Sequence, residues 1–156
     1  MPRVRVQAEP FDAGREIAAL TAGRRDVGAV ATFVGLVRDL NEGSAVSAMT
    51  LEHYPGMTEK ALEAICDEAE GRWDLLGLRV IHRVGPLAPG DAIVLVAVAS
   101  AHRGEAFAAC EFLMDYLKTR APFWKKERTG SGERWVEARE TDEAAAARWS
   151  GKPPAA

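Results

Sequence analysis

The chain has 156 residues, 47% of them hydrophobic, with a formal net charge of −3. That length buries a sizeable core without disulfide or metal staples, and the acidic balance argues against a nucleic-acid-binding domain. The longest apolar stretch, Ala92 to Ala101, is too short to span a bilayer and the N-terminus lacks a signal-like apolar run, so a cytoplasmic location is expected.

Asp12 is a suitable N-cap for a short helix over 13–21, with Ile17 and Leu20 on its apolar side. Residues 27–37 are β-branched and small, which predicts a buried strand. Asp39 to Gly43 supply turn chemistry, and 46–54 read as the returning strand. Pro55-Gly56 closes it. Thr58 is then placed to cap a helix to about Trp73, with Ala61, Leu62, Ile65, Cys66 and Ala69 on one stripe. A strand is predicted over 78–84, and Pro86, Pro89 and Gly90-Asp91 mark a loop before the strand at 93–100.

Ser100 is expected to cap a helix over 101–119, burying Phe107, Cys110, Leu113, Met114 and Leu117; Ala121-Pro122 ends it. Residues 123–128 and 134–138 form a hairpin across Thr129 to Gly132. Thr141 starts a last short helix to Trp149. Residues 1–150 read as one domain and 151–156 as a disordered tail. Strand pairs interleaved with long helices give an α+β fold with a largely antiparallel sheet. Cys66 and Cys110 lie far apart, without a CxxC, and read as buried thiols in a reducing compartment.

The chemistry is concentrated between Met114 and Glu127. Lys118 ends an apolar helix, and Lys125 follows the proline break. If both face one pocket, their repulsion at roughly 6 Å and an effective dielectric near 20 costs about 2.8 kcal/mol. Such a pair suits anion binding, or an amine used as nucleophile or proton carrier. Spacing alone is equally compatible with two surface lysines. From Arg103 to Arg128 six basic residues stand against four acids, a local excess that fits a small acidic ligand better than a polyanion. His102 and Arg103 flank a strand-to-helix junction, where free backbone N–H groups favour anions; decoration of a first helical turn is the plain alternative. Arg38 ends an apolar strand, positioned to fork onto a phosphate or carboxylate or simply to meet solvent. Histidines 53, 82 and 102 fall on separate elements, so no zinc site is expected. No glycine-rich phosphate loop, nucleophile elbow or dinucleotide fingerprint appears, and Trp124 and Trp135 read as core or interface aromatics.

Six segments in order resemble the large, catalytic subunit family of molybdopterin synthase. They are Thr32 to Arg38, Leu51-Glu-His-Tyr-Pro-Gly-Met57, Val80 to Gly85, Ser100 to Arg103, Met114 to Lys126, and Arg134 to Arg139. The resemblance implies an α/β-hammerhead-like α+β domain, with two long helices packed on a mainly antiparallel sheet. It implies a homodimer within a heterotetramer, each large subunit binding a small ubiquitin-like sulfur-carrier subunit. That partner's C-terminal thiocarboxylate would convert cyclic pyranopterin monophosphate to molybdopterin by two sulfur transfers, with no cofactor or metal in this chain. Carried over, Lys118 and Lys125 are the catalytic candidates. Arg38, His102, Arg103 and Arg139 would bind the substrate, some from across a dimer interface. Phe33 and Met114 would line an apolar wall, and Lys126 is a further substrate-binding candidate, ranked below Lys125 because a regular strand points it to the opposite face. Leu36 departs from the family, which often has a basic residue there. A non-catalytic adaptor for a ubiquitin-like protein is the alternative, and a sulfur-independent phosphate-ester enzyme a third reading.

Overall fold

The computed structural model describes residues 2–41, 43–136 and 140–150. The expected tail and Arg139 lie outside them. The chain runs β1 (Val4–Gln7), α1 (Ala13–Thr21), β2 (Ala29–Leu36), β3 (Leu40–Asn41), β4 (Ser44–His53), α2 (Met57–Arg72) and β5 (Leu75–Arg83). It continues through β6 (Gly85–Leu87), β7 (Ala92–Ser100), α3 (Arg103–Arg120), β8 (Phe123–Thr129), β9 (Gly132–Val136) and α4 (Glu140–Ala147). This is the α+β architecture expected, but its strands divide between two sheets. One has the order β1-β5-β7-β2; the other has β3-β4-β8-β9, with β6 on β4. Among the described residues every pairing is antiparallel except β1 with β5.

The core joins the apolar faces of β5 and β7 to α2 and α3. Leu95, Val96, Val98, Leu62, Cys66, Phe112, Leu113 and Tyr116 are all fully enclosed, each large side chain contributing roughly 1.5–3 kcal/mol through burial. Strand β7 is buried on both faces, which explains its unbroken apolar run. No described helix is long and apolar enough to cross a membrane.

Asp12 caps α1 as expected, accepting from the Arg15 amide at 3.1 Å. Two other predicted caps are not caps. Gly56 opens α2 in the left-handed region at φ 84°. Thr58 is instead buried, its hydroxyl accepting from the Tyr54 amide at 3.1 Å and donating to the Pro122 carbonyl at 3.4 Å. Ser100 still belongs to β7, and its hydroxyl reaches the Asp74 carbonyl and the Glu105 carboxylate. Phe107, expected inside, is 66% exposed. The buried arc of α3 centres on Ala106, Ala109, Leu113 and Tyr116, leaving Phe107, Glu111 and Lys118 on the outer stripe.

Candidate active site

Several chain segments converge on a cavity of about 630 Å³. The end of β2 and the turn after it contribute Phe33, Leu36 and Arg38, the last turn of α3 contributes Lys118, β8 contributes Phe123, Lys125 and Glu127, and β5 contributes His82. Local chemistry explains each placement. Gly35 sits at a bulge in the β2–β7 ladder, where a Cβ would come within 2.7 Å of Val94 Cγ1. The strand therefore passes close to β7 before Val37 exchanges backbone hydrogen bonds with the 88–91 turn: its amide donates to the Asp91 carbonyl and its carbonyl accepts from Gly90. That anchoring sets Arg38 at the pocket mouth.

Lys118 lies in the last turn of α3, where a cation is favoured by the helix dipole. The chain then leaves the helix because Ala121, preceding a proline, is extended at φ −85°, ψ 135°. Phe123 starts β8 immediately, so the corner brings Lys125 back beside Lys118. Neighbouring Arg120 is diverted: its guanidinium lies 3.6 Å from the centroid of the Tyr116 ring.

Alternation along β8 sorts its charges. Lys125 and Glu127 line the cavity, whereas Lys126 points away, 2.9 Å from Glu133 and over the Trp135 ring. Glu127 is buried, accepts from Asn41 Nδ2 at 3.0 Å and pairs with Arg134 at 3.4 Å. Arg134 also donates to the Asn41 carbonyl at 3.0 Å, which ties β3 to the β8–β9 hairpin beneath the pocket. Arg38, Lys118 and Lys125 thus share the described lining with Asp142 and with Glu127, which is paired with Arg134. Among the described residues the cavity holds three cationic groups and two acidic ones in its lining, framed by Phe33, Leu36, Ile93 and Leu117. It can hold an anion joined to a flat apolar body.

Residues 6–120 match the family described as MoaE protein. The chain belongs to the MoaE family. The matched region contains Arg38 and Lys118 and stops short of Lys125, but similarity to individual relatives runs further. A molybdopterin synthase catalytic subunit of Ralstonia nicotianae is 70% identical over 149 residues, covering 96% of this chain and 85% of the relative. Among solved structures, a molybdopterin biosynthesis MoaE protein from Burkholderia ambifaria MC40-6 superposes with a TM-score of 0.82 at 58% identity, covering 97% of this chain and 100% of that one. Molybdopterin synthase from Staphylococcus aureus gives 0.81 at 33% identity, over 88% and 98% respectively.

In this MoaE-family chain His102, Arg103 and Met114 do not join the same cavity. His102 and Arg103 are exposed at the opposite end of α3. At 1.5 Å per residue the helix carries Arg103 about 22 Å from Lys118, so only a second copy could bring them to this pocket. The junction itself is partly occupied, since Glu105 lies in the first turn and accepts from Ser100. Met114 is buried in the α3 core and is not part of the cavity wall. Conversely, His82, Asn41 and Glu127 were not singled out from sequence. The three segments meet only in the fold; His82 lies in the Val80 to Gly85 segment that carries the resemblance, but no role was read for it there.

Proposed function

We propose that the chain is the catalytic subunit of a molybdopterin synthase, a sulfurtransferase of molybdenum-cofactor biosynthesis. The observation that carries this reading is the convergence of Lys118, Lys125 and Arg38 on one partly apolar cavity. The substrate is cyclic pyranopterin monophosphate. The sulfur donor is the C-terminal thiocarboxylate of a small ubiquitin-like subunit, in keeping with relatives named for a catalytic subunit. Both reactants bear negative charge, and preorganised ammonium groups stabilise charge as it develops without reorienting.

Lys118 serves the thiocarboxylate carbonyl or proton transfer, and Lys125 stabilises the substrate anion. Arg38 holds the phosphate at the mouth, while Phe33 supports the heterocycle. His102, Arg103 and Arg139 act from a second copy within a dimer that carries two small subunits. Leu36 at the rim leaves this pocket one cation poorer than many relatives, which weakens substrate capture rather than chemistry. The assembly works in the cytoplasm.

Reconstitution separates this reading from its rivals. Purified chain, thiocarboxylated small subunit and pyranopterin are expected to yield molybdopterin, with no product when the small subunit is omitted. Tight binding of the small subunit without turnover would instead identify a non-catalytic adaptor.

A further inference from the structure

Strands β3 and β9 stand at opposite ends of the order β3-β4-β8-β9, yet Arg134 of β9 reaches Asn41 of β3. Its Nη2 donates to the Asn41 carbonyl oxygen at 3.0 Å and to Glu127 Oε1 at 3.4 Å. Asn41 Nδ2 donates to the same Oε1 at 3.0 Å. Glu127 faces Arg134 directly in the β8–β9 ladder. The three residues form a closed ring, each bonded to the other two, which curls the sheet until its ends meet. Asn41 and Glu127 also line the cavity. They are 8% and 3% exposed, so water cannot readily replace a lost partner there. Arg134 opens the last of the segments that carry the resemblance, and the roles assigned above leave it unused.

What the ring holds is the downstream end of the segment that bears Arg38. Upstream, Val37 is buried and fixed by its two backbone bonds to the 88–91 turn. Arg38, Asp39 and Leu40 are then all exposed, before Asn41 is buried again. Three exposed residues between two buried ones take their course from those anchors. Strand β3 is only two residues long, paired with β4 through Leu40 to Ala45 and Asn41 to Ser44. The Asp39 carbonyl accepts from the Val46 amide at 2.8 Å, so this segment and the start of β4 form one small hairpin. Arg134 ties that hairpin to β8 and β9. A guanidinium on a long stem delivers its charge to one place only if its backbone is held there, and a misplacement of about 1 Å is enough to weaken a contact.

We propose that Arg134 is a positioning residue for Arg38: by bridging Glu127 to the Asn41 carbonyl it fixes the exposed 38–40 segment, and with it the place where the Arg38 guanidinium meets the anionic group of the ligand. The inference rests on the reading of the cavity as a site for a phosphorylated pterin, yet its first test needs no ligand. In 15N-labelled wild-type protein, NMR should show hindered rotation of the Arg134 guanidinium and backbone order parameters near about 0.85 across 38–40. Arg134→Gln should lower those order parameters below about 0.6 while Val37 keeps its value. In the reconstituted complex the same substitution should raise KM for the pyranopterin about tenfold with kcat within about twofold of the parent. A partly unfolded enzyme would instead lose kcat at unchanged KM. In an Arg38→Ala background Arg134→Gln should change KM less than about twofold, because the group it positions is gone.

A freely rotating Arg134 guanidinium in wild type would overturn the proposal, even if the variant failed to fold. Order parameters unchanged by Arg134→Gln would do the same. So would an equal rise in KM with and without Arg38, since the effect would then not pass through that residue. Absence of molybdopterin from the wild-type complex would refute the functional reading instead, and the NMR result would still decide whether Arg134 fixes the segment.

Discussion

Burial sets the chemistry of several single residues in ways that can be measured. The Cys66 thiol is pushed up to about 12 and the Cys110 thiol to about 11, in each case chiefly because burial penalises the thiolate. Neither is a nucleophile at neutral pH. Iodoacetamide at pH 8 should leave both unmodified in the native protein and label both in denaturant; rapid labelling of native protein would contradict their burial. His82 makes the opposite kind of statement. Its folded pKa of about 3 lies below the unfolded value, so the unfolded chain binds the proton first as pH falls. Its contribution to stability is complete above about pH 6.5 and declines by roughly 1.4 kcal/mol per unit below that. Between pH 6.5 and 5 denaturant unfolding should show wild type losing about 2 kcal/mol through this group. The loss should be absent in His82→Gln, and parallel declines in the two proteins would show the ring to be exposed to protons.

At the scale of elements, the corner between α3 and β8 depends on close packing from elsewhere. Thr58 ties that corner to α2 through its bond to the Pro122 carbonyl while satisfying the Tyr54 amide. Thr58→Val keeps the shape but strands both groups, which should cost about 1–3 kcal/mol in a denaturant titration; an unchanged midpoint would show that the hydroxyl is dispensable. Gly28 is tighter still, since a Cβ there would lie 2.0 Å from the Ala101 carbonyl oxygen, a backbone atom that cannot swing aside.

These examples also show what the sequence could convey. Helix α1 was legible to the residue because its cap acts locally. Thr58 and Ser100 looked like caps for the same reason, but the fold spends their hydroxyls on distant partners. Strand β1 carried too short a pattern to stand out, and it exists because β5 pairs with it from more than seventy residues away. Strand β6 was hidden among prolines that its edge position tolerates. In the site, the strand period separated Lys125 from Lys126 correctly, and the family motifs pointed to Lys118 and Arg38. His82 lay inside one of those motifs, Val80 to Gly85, but was assigned no role from it. Tertiary packing stacks it on Phe123 and places it in the cavity that Lys118 and Lys125 also line.

For the whole molecule, the length of α3 has a consequence for assembly. A chain whose Lys118 and Arg103 lie at opposite ends of one helix cannot offer both to one cavity, whereas a symmetric pair can exchange them. If Lys118→Ala and Arg103→Ala are each inactive, refolding them together should restore about a quarter of wild-type activity, because half the dimers are mixed and each mixed dimer has one intact site. No recovery would mean that Arg103 serves its own chain, or none.

The central claim is that gathering Lys118 and Lys125 in one cavity makes this fold a sulfurtransferase. Its most direct test is single-turnover formation of molybdopterin by Lys118→Ala in complex with the thiocarboxylated small subunit. The account predicts a rate at least about a hundredfold below wild type, with thermal stability and small-subunit affinity unchanged. Wild-type sulfur transfer by that variant would contradict it.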